Sequence, residues 1–343
     1  MKLLITGGAG FIGSNLAKYL FSKGYEIVIY DNLSRNNTKH NLEWLKKSCG
    51  DEINFVNGDV RNFKILQEKV IDVDIIIHTA AQVAVTSSFK NPREDFEINV
   101  LGTLNILEAA RQSDKRPAII YFSTNKVYGD NVNKIPLIEK QTRYEFADEK
   151  YKFGISENFP TDTNNHTPYG VSKYAAELYV REYGLTYDLP SVVLRCSCIY
   201  GPRQFGNEDQ GWITHFTISS IFDKLITIYG NGKQVRDILY IDDLVKLVEM
   251  LMKKIEKFRG EVFNVGGGPG NTISLLELIK LLEDTLNKKI KLSFSNWRPA
   301  DQKVYISDIR KAEKLIRWKP SIKPRDGVNK LISWVDGNKT LFI

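Results

Sequence analysis

Short apolar runs rich in β-branched residues alternate with segments of helical periodicity over the first two-thirds of the 343-residue chain. The runs are K-L-L-I-T, E-I-V-I-Y-D, I-N-F-V-N, D-I-I-I-H-T, A-I-I-Y-F-S and S-V-V-L-R-C. Strands that are apolar on both faces and separated by helices belong to a parallel sheet covered on both sides. The pattern predicts an α/β fold with a doubly wound parallel sheet, and its longest helices are predicted over residues 92–113 and 169–183.

The pattern changes after Gly201 and Pro202. Loop-rich stretches such as Q-F-G-N-E-D-Q-G-W and Y-G-N-G-K-Q-V-R-D are followed by helical segments, an apolar E-V-F-N-V and a triple glycine. We therefore predict two domains. Residues 1–200 and 236–265 form the sheet domain, and residues 201–235 and 266–343 form a smaller C-terminal α+β domain that binds the substrate. One late element is expected to return to the main sheet.

Composition narrows the class of protein. Hydrophobic residues make up 42% of the chain and charged residues 26%, which is typical of a globular protein. The net charge of +7 is spread over helical faces, so nucleic acid is not predicted as a partner. An apolar strand begins at Lys2, and no apolar run is long enough to span a bilayer. We expect no signal peptide, no membrane contact and a cytoplasmic location.

Cysteine and histidine offer no metal site. Cys49 stands alone, and Cys196 and Cys198 alternate along one predicted strand, so that a mutual disulfide is not expected. The four histidines lack the spacing of metal ligands. We predict reduced thiols and no metal.

The first strand runs into G-G-A-G-F-I-G, where Gly7, Gly10 and Gly13 are spaced three apart before an amphipathic helix. Such glycines let backbone N–H groups approach a pyrophosphate at the helix N-terminus. This strand, turn and helix predict a dinucleotide site of the Rossmann type.

Two acidic residues follow the second and third strands. Asp31 is placed to accept hydrogen bonds from adenosine ribose hydroxyls, and its charge repels a 2′-phosphate, so NAD is favoured over NADP. The alternative is that Asp31 only caps a turn. Asp59 in N-G-D-V could accept from the adenine amine or simply form a turn.

A tyrosine and a lysine lie four residues apart in Y-G-V-S-K, hence on one face of a predicted helix. The phenol of Tyr169 is a poor base at its ordinary pKa of about 10, but a neighbouring ammonium and a cationic nicotinamide both favour the phenolate. Lys173 supplies the ammonium and could also hold the nicotinamide ribose. The pair alone is weak evidence for an active site, but together with the glycine turn and the S-T after the fifth strand it is a specific signal.

The chain resembles the extended short-chain dehydrogenase/reductase family of nucleotide-sugar epimerases and dehydratases. The resemblance covers nearly the whole chain: G-G-A-G-F-I-G, the D-N after strand two, G-D-V, H-T-A-A-Q, N-V-x-G-T-x-N-x-L-E-A-A, S-T-x-x-V-Y-G, Y-x-x-x-K, I-Y-G-P, R-D-I-L-Y-I-D-D and N-V-G-G-G. It implies Thr124, Tyr169 and Lys173 as the catalytic set. The chain departs from the commonest family pattern at Ser197 and Cys198, where many relatives carry an aromatic residue and an asparagine.

The resemblance also implies a cofactor site for NAD that stays bound between turnovers. Its residues are Gly7, Gly10, Phe11, Ile12, Gly13, Asp31, Asn32, Asp59, Val60, Ala80, Ala81, Gln82, Asn99 and Lys173. Asn99 is expected to hydrogen-bond backbone between helix and sheet. His78, at the end of the fourth strand, is expected to be structural.

Asn125 and Lys126 follow the catalytic threonine, where the 4,6-dehydratase branch carries an Asp–Glu pair. Elimination needs that extra acid and base, and an amide does not exchange protons usefully. Dehydration is therefore disfavoured. The S-T-N-K-V-Y-G-D, Q-T-R-Y, G-P-R-Q-F with D-Q-G-W, and G-N-G-K-Q-V-R-D segments together resemble the CDP-paratose 2-epimerase group.

This resemblance implies an isomerase that inverts C2 of a nucleotide-diphosphate sugar through a transient 2-keto intermediate. The substrate would be CDP-paratose or CDP-tyvelose, or a CDP-hexose such as CDP-glucose. A UDP-sugar 4-epimerase is the alternative, followed by a sugar 4,6-dehydratase and a noncatalytic NAD-binding module. The partners expected are the nucleotide sugar and copies of the chain, as a homodimer or homotetramer.

Arginines in the second domain suit an anionic diphosphate, because their forked donors bind its oxygens in pairs. Arg203, Arg236 and Arg298 all lie in predicted loops, and Asp301 is expected to meet ribose hydroxyls. The alternative is that these arginines are surface charges or form ion pairs. The predicted substrate-binding residues are Thr124, Asn125, Lys126, Arg203, Gln204, Arg236, Arg298 and Asp301.

Overall fold

The computed structural model describes residues 1–50, 53–162 and 165–342. The strands are β1 (Lys2–Thr6), β2 (Glu26–Asp31), β3 (Asn54–Asn57), β4 (Ile75–His78), β5 (Ala118–Thr124), β6 (Leu137–Glu139), β7 (Tyr144–Phe146), β8 (Ser191–Cys196), β9 (Cys198–Tyr200), β10 (Ile226–Tyr229), β11 (Val235–Tyr240), β12 (Glu261–Val265), β13 (Thr272–Ser274), β14 (Leu292–Ser295) and β15 (Val304–Tyr305).

The α-helices are α1 (Phe11–Phe21), α2 (Thr38–Cys49), α3 (Phe63–Val70), α4 (Val85–Lys90), α5 (Pro92–Phe96), α6 (Gly102–Gln112), α7 (Thr167–Thr186), α8 (Trp212–Ile221), α9 (Ile241–Met252), α10 (Leu275–Leu286), α11 (Arg310–Ile316) and α12 (Pro324–Gly337). A π-helical turn spans Glu97–Leu101. Short 3-10 helices span Asn125–Tyr128, Asn131–Lys134, Glu149–Tyr151, Ile255–Phe258, Pro269–Asn271 and Lys339–Leu341.

The chain divides into two compact units. Unit 1 contains Met1–Val127, Thr167–Arg195 and Val245–Phe263, and unit 2 contains Tyr128–His166, Cys196–Leu244 and Asn264–Ile343. Residues 128–166 thus belong to unit 2, whereas the sequence analysis assigned them to the sheet domain. The predicted domain limits stay a prediction.

The main sheet of the described chain has seven strands in the order β3-β2-β1-β4-β5-β8-β12. The pairs β1–β2, β1–β4, β2–β3 and β4–β5 are parallel, and every residue of β4 and β5 is buried. The predicted doubly wound parallel sheet is confirmed. The apolar E-V-F-N-V segment forms β12 and returns to this sheet, as expected, beside β8.

Unit 2 contains smaller sheets. Strand β11 lies between β13 and β15 and also pairs with β9, while β10 pairs in parallel with β14 and β6 pairs antiparallel with β7. Val235 and Val304 are buried with Tyr144 in one apolar cluster within this unit. The mixture of parallel and antiparallel pairs agrees with the predicted α+β character of the C-terminal region.

The helix predicted over residues 92–113 is present in the structure as α5, the π turn and α6 in succession. Pro92 occupies the first turn of α5, and the Asn91 side chain accepts a hydrogen bond from the Glu94 N–H. The helix then widens into the π turn before α6 begins at Gly102. A π turn inserts one residue into a helix, often at a functional site. Here the inserted turn contains the buried Asn99.

A buried ion pair connects α7 to the sheet. Arg195 Nη2 of β8 lies 2.6 Å from Glu177 Oε1 of α7, and both side chains are almost completely buried. Ser123 Oγ of β5 donates to Glu177 Oε2 at 2.8 Å. Both carboxylate oxygens therefore have donors, which is the condition for a charge to be tolerated away from water.

Removing one partner of this pair should destabilise unit 1. In Glu177→Gln, the Arg195 charge stays buried without its counter-ion, and we expect a loss of about 3–5 kcal/mol in the free energy of unfolding. The matched control is Arg93→Gln, which breaks the exposed Arg93–Glu97 pair of the same unit and should leave unfolding nearly unchanged. Urea unfolding followed by circular dichroism measures both, and equal effects of the two variants would contradict the prediction.

Candidate active site

The glycine turn connects β1 to α1 through close backbone approach. Gly7 has a positive φ of 66°, and a Cβ added there would lie 2.7 Å from the backbone nitrogen of Ala80. A Cβ on Gly13 would collide with the carbonyl oxygen of Gly7. Only glycine fits these two positions, because Gly7 needs the left-handed region and Gly13 brings α1 against the turn.

Helix α1 begins at Phe11, and Gly10 is its cap residue. Among the described residues, no side chain caps this end, and its first turn contains no acidic residue. The N–H groups of the first helical turn, which includes Phe11, Ile12 and Gly13, have no intrahelical acceptor and carry the positive end of the helix dipole. The turn therefore fits the pyrophosphate of a dinucleotide.

Asp31 ends β2 beside this turn. Its Oδ2 accepts from the Ala9 N–H at 3.0 Å, and its Oδ1 accepts from the Leu33 N–H at 2.8 Å. Burial raises the pKa of Asp31, and the two backbone donors oppose that rise. Each carboxylate oxygen has a further lone pair, so the group can stabilise the turn and still accept from hydroxyls. Asn32 next to it is exposed and donates to Asp59 Oδ2 at 2.9 Å.

Asp59 forms its own local turn. Its Oδ1 accepts from the backbone and Nε of Arg61, both at 2.9 Å, and its Oδ2 accepts from Arg61 Nη2 at 2.7 Å. The Arg61 guanidinium lowers the pKa of Asp59 to about 2. The contacts agree with the turn-forming alternative, and the adenine contact stays a prediction. Val60 is buried against Gly102.

The side-chain amide of Asn99 joins the π turn to the backbone of the loop after β4. The Gln82 N–H donates to Asn99 Oδ1 at 2.9 Å, and Asn99 Nδ2 donates to the Gln82 carbonyl at 3.1 Å. This reciprocal pair is the backbone contact expected of Asn99. In the same loop, Ala80 lies beside the glycine turn at Gly7.

His78 is buried at the end of β4. Its Nδ1 lies 2.7 Å from Thr6 Oγ1, and its Nε2 lies 3.0 Å from Thr103 Oγ1. Burial, together with the charge of Lys173, lowers the pKa of His78 to about 3. A neutral imidazole with both nitrogens hydrogen-bonded agrees with the structural role expected of it.

Tyr169 and Lys173 lie in the first turns of α7. Thr167 Oγ1 accepts from the Gly170 N–H at 3.3 Å, and Pro168 follows Thr167, which together favour a helix start at this point. The Tyr169 N–H donates to Ser88 Oγ at 3.1 Å. The side chains of Tyr169 and Lys173 are both buried.

Lys173 packs against β5. Its Nζ lies 4.2 Å from the centroid of the Tyr121 ring, and Tyr121 Oη donates to the Lys173 carbonyl at 3.3 Å. A cation above an aromatic face is attracted to it, and the attraction is larger where water is excluded. Lys173 is therefore held at a defined position on the sheet.

Thr124 ends β5, and its hydroxyl contacts the next two residues. Thr124 Oγ1 donates to Asn125 Oδ1 at 3.3 Å and accepts from the Lys126 N–H at 3.3 Å. Thr124 and Asn125 are buried, and Lys126 is half-buried. The unusual Asn125 thus orients the predicted catalytic hydroxyl, a contact that the sequence analysis did not predict.

The predicted substrate residues of the C-terminal region belong to unit 2. Arg236 Nη2 donates to Asp301 Oδ1 at 2.7 Å, and Nη1 donates to the Val235 carbonyl at 2.8 Å. Arg298 donates to the Glu208 carbonyl at 2.9 Å, and its guanidinium lies 4.1 Å from the centroid of the Tyr229 ring. Arg236 lies on β11 rather than in a loop, which corrects that prediction.

A cavity of about 640 Å³ lies in unit 2, and both Arg298 and Asp301 line it. Asp130, Asn133, Trp297 and Lys303 also contribute to its wall. The cavity thus combines aromatic, cationic and acidic groups.

Arg203 and Gln204 lie elsewhere in unit 2. The Arg203 guanidinium lies 5.7 Å from the centroid of the Trp334 ring, and burial lowers its pKa. Gln204 is buried, accepts from Thr214 Oγ1 at 2.5 Å and donates to the Ile199 carbonyl at 3.3 Å. The Gln204 amide therefore has internal partners.

The unusual Ser197 and Cys198 also have partners within unit 2. Ser197 Oγ donates to Asp237 Oδ1 at 2.5 Å, and Trp212 Nε1 contacts Cys198 Sγ at 3.4 Å. Burial raises the pKa of Asp237, and the Ser197 hydroxyl opposes that rise. Ser197 thus stabilises a buried carboxylate, which explains a polar side chain at this position.

Within residues 1–50, 53–162 and 165–342, no three His, Cys, Asp or Glu side chains are arranged to hold a metal ion. None of the three cysteines forms a disulfide. No helix in that part of the chain has both the length and the apolar character needed to cross a bilayer.

The Rossmann sheet, the glycine turn and the Tyr169–Lys173 pair on α7 define the class of protein as an extended short-chain dehydrogenase/reductase. Residues 4–331 match the family described as GDP-mannose 4,6 dehydratase, and the chain belongs to this family. The family contains enzymes that epimerise or dehydrate nucleotide sugars.

Relatives and solved structures agree with this assignment. The chain is 44% identical over 341 residues to CDP-paratose 2-epimerase of Salmonella typhi, with 97% of this chain and 99% of the relative covered. It resembles the structure of UDP-glucose 4-epimerase of Thermotoga maritima with UDP-glucose, at 28% identity and a TM-score of 0.83, over 99% of this chain and 100% of the other. The structure of UDP-glucuronic acid 4-epimerase of Bacillus cereus with UDP-glucuronic acid and NAD matches at 29% identity and a TM-score of 0.82, over 98% and 99%.

Proposed function

We propose that this protein is an NAD-dependent epimerase that inverts C2 of a nucleotide-diphosphate sugar through a 2-keto intermediate. The substrate is CDP-paratose or CDP-tyvelose, or a CDP-hexose such as CDP-glucose. The observation that carries the reaction type is the buried Tyr169–Lys173 pair, with Lys173 held on the Tyr121 ring. The end-to-end identity of 44% with CDP-paratose 2-epimerase supports the choice of carbon and nucleotide.

The cofactor site is formed by residues of unit 1. The glycine turn and the start of α1 bind the pyrophosphate, Asp31 accepts from ribose hydroxyls, and Lys173 holds the nicotinamide ribose. The Asp31 charge repels a 2′-phosphate, which favours NAD over NADP. When bound, NAD supplies a hydride acceptor and, in the reverse sense, a hydride donor at the sugar carbon.

Tyr169 and Thr124 act on the sugar hydroxyl. Tyr169, as the phenolate, takes the proton of the 2-hydroxyl while the C2 hydrogen leaves as hydride, and Thr124 hydrogen-bonds the same oxygen. Lys173 stabilises the phenolate through its charge. The 2-keto sugar then turns its other face toward the cofactor site. Hydride returns to C2 and Tyr169 gives the proton back, so the net reaction is redox-neutral.

The nucleotide must stay bound while the hexose turns. Arg236 and Arg298 bind the diphosphate, with Arg203 and Gln204 as further contacts and Asp301 at ribose hydroxyls. The Arg236–Asp301 ion pair supports this role, because it holds the guanidinium in a fixed orientation for paired contacts with phosphate oxygens.

Asn125 and Lys126 argue against dehydration, since neither is a carboxylic acid. Asn125 accepts from the catalytic hydroxyl and cannot protonate a leaving group. A second candidate is a UDP-sugar 4-epimerase, which is favoured by the fold likeness to UDP-glucose 4-epimerase of Thermotoga maritima. A noncatalytic NAD-binding module would not need Thr124, Tyr169 and Lys173.

The Tyr169→Phe variant separates catalysis from cofactor binding. It should retain the fold and bound NAD, because the backbone contact of residue 169 with Ser88 is unchanged. The rate should fall ~10² to 10⁴-fold, the range for loss of a general acid/base. Acid release followed by an enzymatic NAD assay measures the cofactor, and NMR measures turnover. Near-native turnover would remove Tyr169 from the mechanism.

Isotope exchange tests the site of inversion. CDP-, UDP-, GDP- and dTDP-hexoses are incubated in D2O, and product stereochemistry is determined by NMR. We expect a CDP-hexose to invert at C2 with protium retained there, because hydride returned by a sequestered cofactor does not mix with solvent. Deuterium at C2 would indicate deprotonation chemistry. Inversion at C4 would retain the hydride mechanism and favour the 4-epimerase.

We also propose that the protein self-associates as a homodimer or homotetramer. Helices α4, α5 and α6 pack against α7, and these helices expose large apolar side chains, including Phe89, Phe96, Val171 and Leu178. Exposed apolar groups on neighbouring helices are typical of subunit contacts. Light scattering should give a dimer or tetramer that Val171→Glu weakens and Leu225→Glu, at an exposed site in unit 2, does not. A monomeric wild type would refute this proposal.

A further inference from the structure

Asp95 is a completely buried acid on α5 that the proposed mechanism does not use. Its Oδ1 accepts from Gln82 Nε2 at 2.8 Å and lies 3.4 Å from Asn99 Nδ2. Its Oδ2 is buried and makes no hydrogen bond within the described chain. A buried carboxylate with one unbonded oxygen is costly and needs an explanation.

The hydrogen bonds of Asp95 connect two parts of the site. Gln82 belongs to the loop beside the glycine turn, and its side-chain amide also donates to the Ala84 carbonyl at 2.9 Å. Asn99 Nδ2 donates in addition to Ser172 Oγ at 3.0 Å, and Ser172 Oγ donates to the Tyr169 carbonyl at 3.0 Å. Asp95 is thus joined, through Gln82 and Asn99, to the cofactor loop and to the first turn of α7.

The Asn99 contacts join Asp95 to Ser172, the residue that precedes Lys173 on α7, and so bring the carboxylate close to the Lys173 ammonium. Burial raises the pKa of Asp95, while the Ser172 hydroxyl, the Gln82 amide and the Lys173 ammonium oppose that rise. A charge buried at this depth is screened little by water, so the pair interacts more strongly than it would on the surface.

We propose that Asp95 is a positioning residue that acts through Lys173: its carboxylate joins the cofactor loop to α7 and supplies a buried negative charge that offsets the cation beside Tyr169. This inference rests on the proposed function. In that function Tyr169 must both accept and return a proton within one turnover. Lys173 stabilises the phenolate in both steps, and a buried negative charge nearby raises the affinity of Tyr169 for the proton that it must return.

Other titratable groups also surround Tyr169 and Lys173. They are Glu177 on α7, Tyr121 on β5, neutral His78 on β4 and Arg35 after β2, whose charge interacts with Tyr169. On α5 itself, Glu94 is exposed, and Arg93 pairs at 2.9 Å with Glu97, the first residue of the π turn. None of these groups changes in the variants below, apart from Glu94 in the control.

The informative variant is Asp95→Asn. Its amide oxygen can still accept from Gln82 and Asn99, and its nitrogen replaces the unbonded Oδ2, so the variant removes charge and keeps the network. Asp95→Ala removes both. The matched control is Glu94→Gln, which removes a charge from the adjacent, exposed position and leaves the buried network intact.

The readout is the phenolate absorbance of the NAD-loaded enzyme as a function of pH. The Tyr169→Phe form of each variant serves as its blank, so that only Tyr169 is measured. We expect Asp95→Asn to move the Tyr169 titration down by about 1 pH unit or more, because removal of a like charge favours the phenolate. Glu94→Gln should titrate like wild type. For any sugar that the enzyme turns over, the acid limb of the rate–pH profile should shift in the same direction as the Tyr169 titration.

Cofactor retention tests whether Asp95 holds the cofactor loop in position. Asp95→Ala should lose NAD on gel filtration, whereas Asp95→Asn and Glu94→Gln should retain wild-type amounts. A titration in Asp95→Asn that coincides with wild type, or one that Glu94→Gln moves equally, would overturn the proposal, even if both Asp95 variants unfold at lower temperature. Neither readout needs the sugar substrate, so failure of the proposed C2 epimerisation is distinguished from failure of this inference.

Discussion

The buried ion pair between Glu177 and Arg195 determines where α7 lies on the main sheet. A carboxylate removed from water requires a counter-ion and a hydrogen bond on each oxygen, and only Arg195 of β8 and Ser123 of β5 supply them to Glu177 in the contacts of the described residues. Lys173 and Tyr169 precede Glu177 by one and two turns on the same helix face. Their position beside β5 therefore follows from the pairing of Glu177.

The polar network beneath the π turn has a similar origin. Asn99 is buried within a helix, and a buried amide must find partners for its donors and its acceptor. The widened turn directs it toward Gln82, whose N–H and carbonyl satisfy both ends of the amide. The irregular helix and the loop after β4 thus stabilise each other, and the loop acquires a defined position beside Gly7.

The arginines of unit 2 make hydrogen bonds and ion pairs within the chain. Arg236 is paired with Asp301, and Arg298 contacts the Glu208 carbonyl and lies 3.6 Å from Asp209 Oδ1. These contacts agree with the ion-pair alternative of the sequence analysis. A guanidinium has five N–H donors, so the contacts of Arg236 with Asp301 and the Val235 carbonyl leave further donors for the proposed phosphate contacts.

Much of the fold and part of the site could be predicted from the sequence. The apolar runs on both faces of each strand require a covered parallel sheet, and the glycine spacing acts within a single turn. The same local reasoning placed Tyr169 and Lys173 on one helix face. The roles assigned to the cofactor and substrate residues stay predictions, since the contacts of the chain alone do not test them.

The sequence by itself determined the features that depend on neighbours within about one turn or one strand: the sheet, the glycine turn and the spacing of the Tyr169–Lys173 pair. Only the tertiary structure decided the π turn within the 92–113 helix, the partners of Glu177 and the burial of Asp95. Each of these depends on groups that are distant along the chain, such as Gln82 for Asp95 and Arg195 for Glu177. Buried polar groups are stable only where folding brings such partners into contact, and no local pattern specifies which partners these will be.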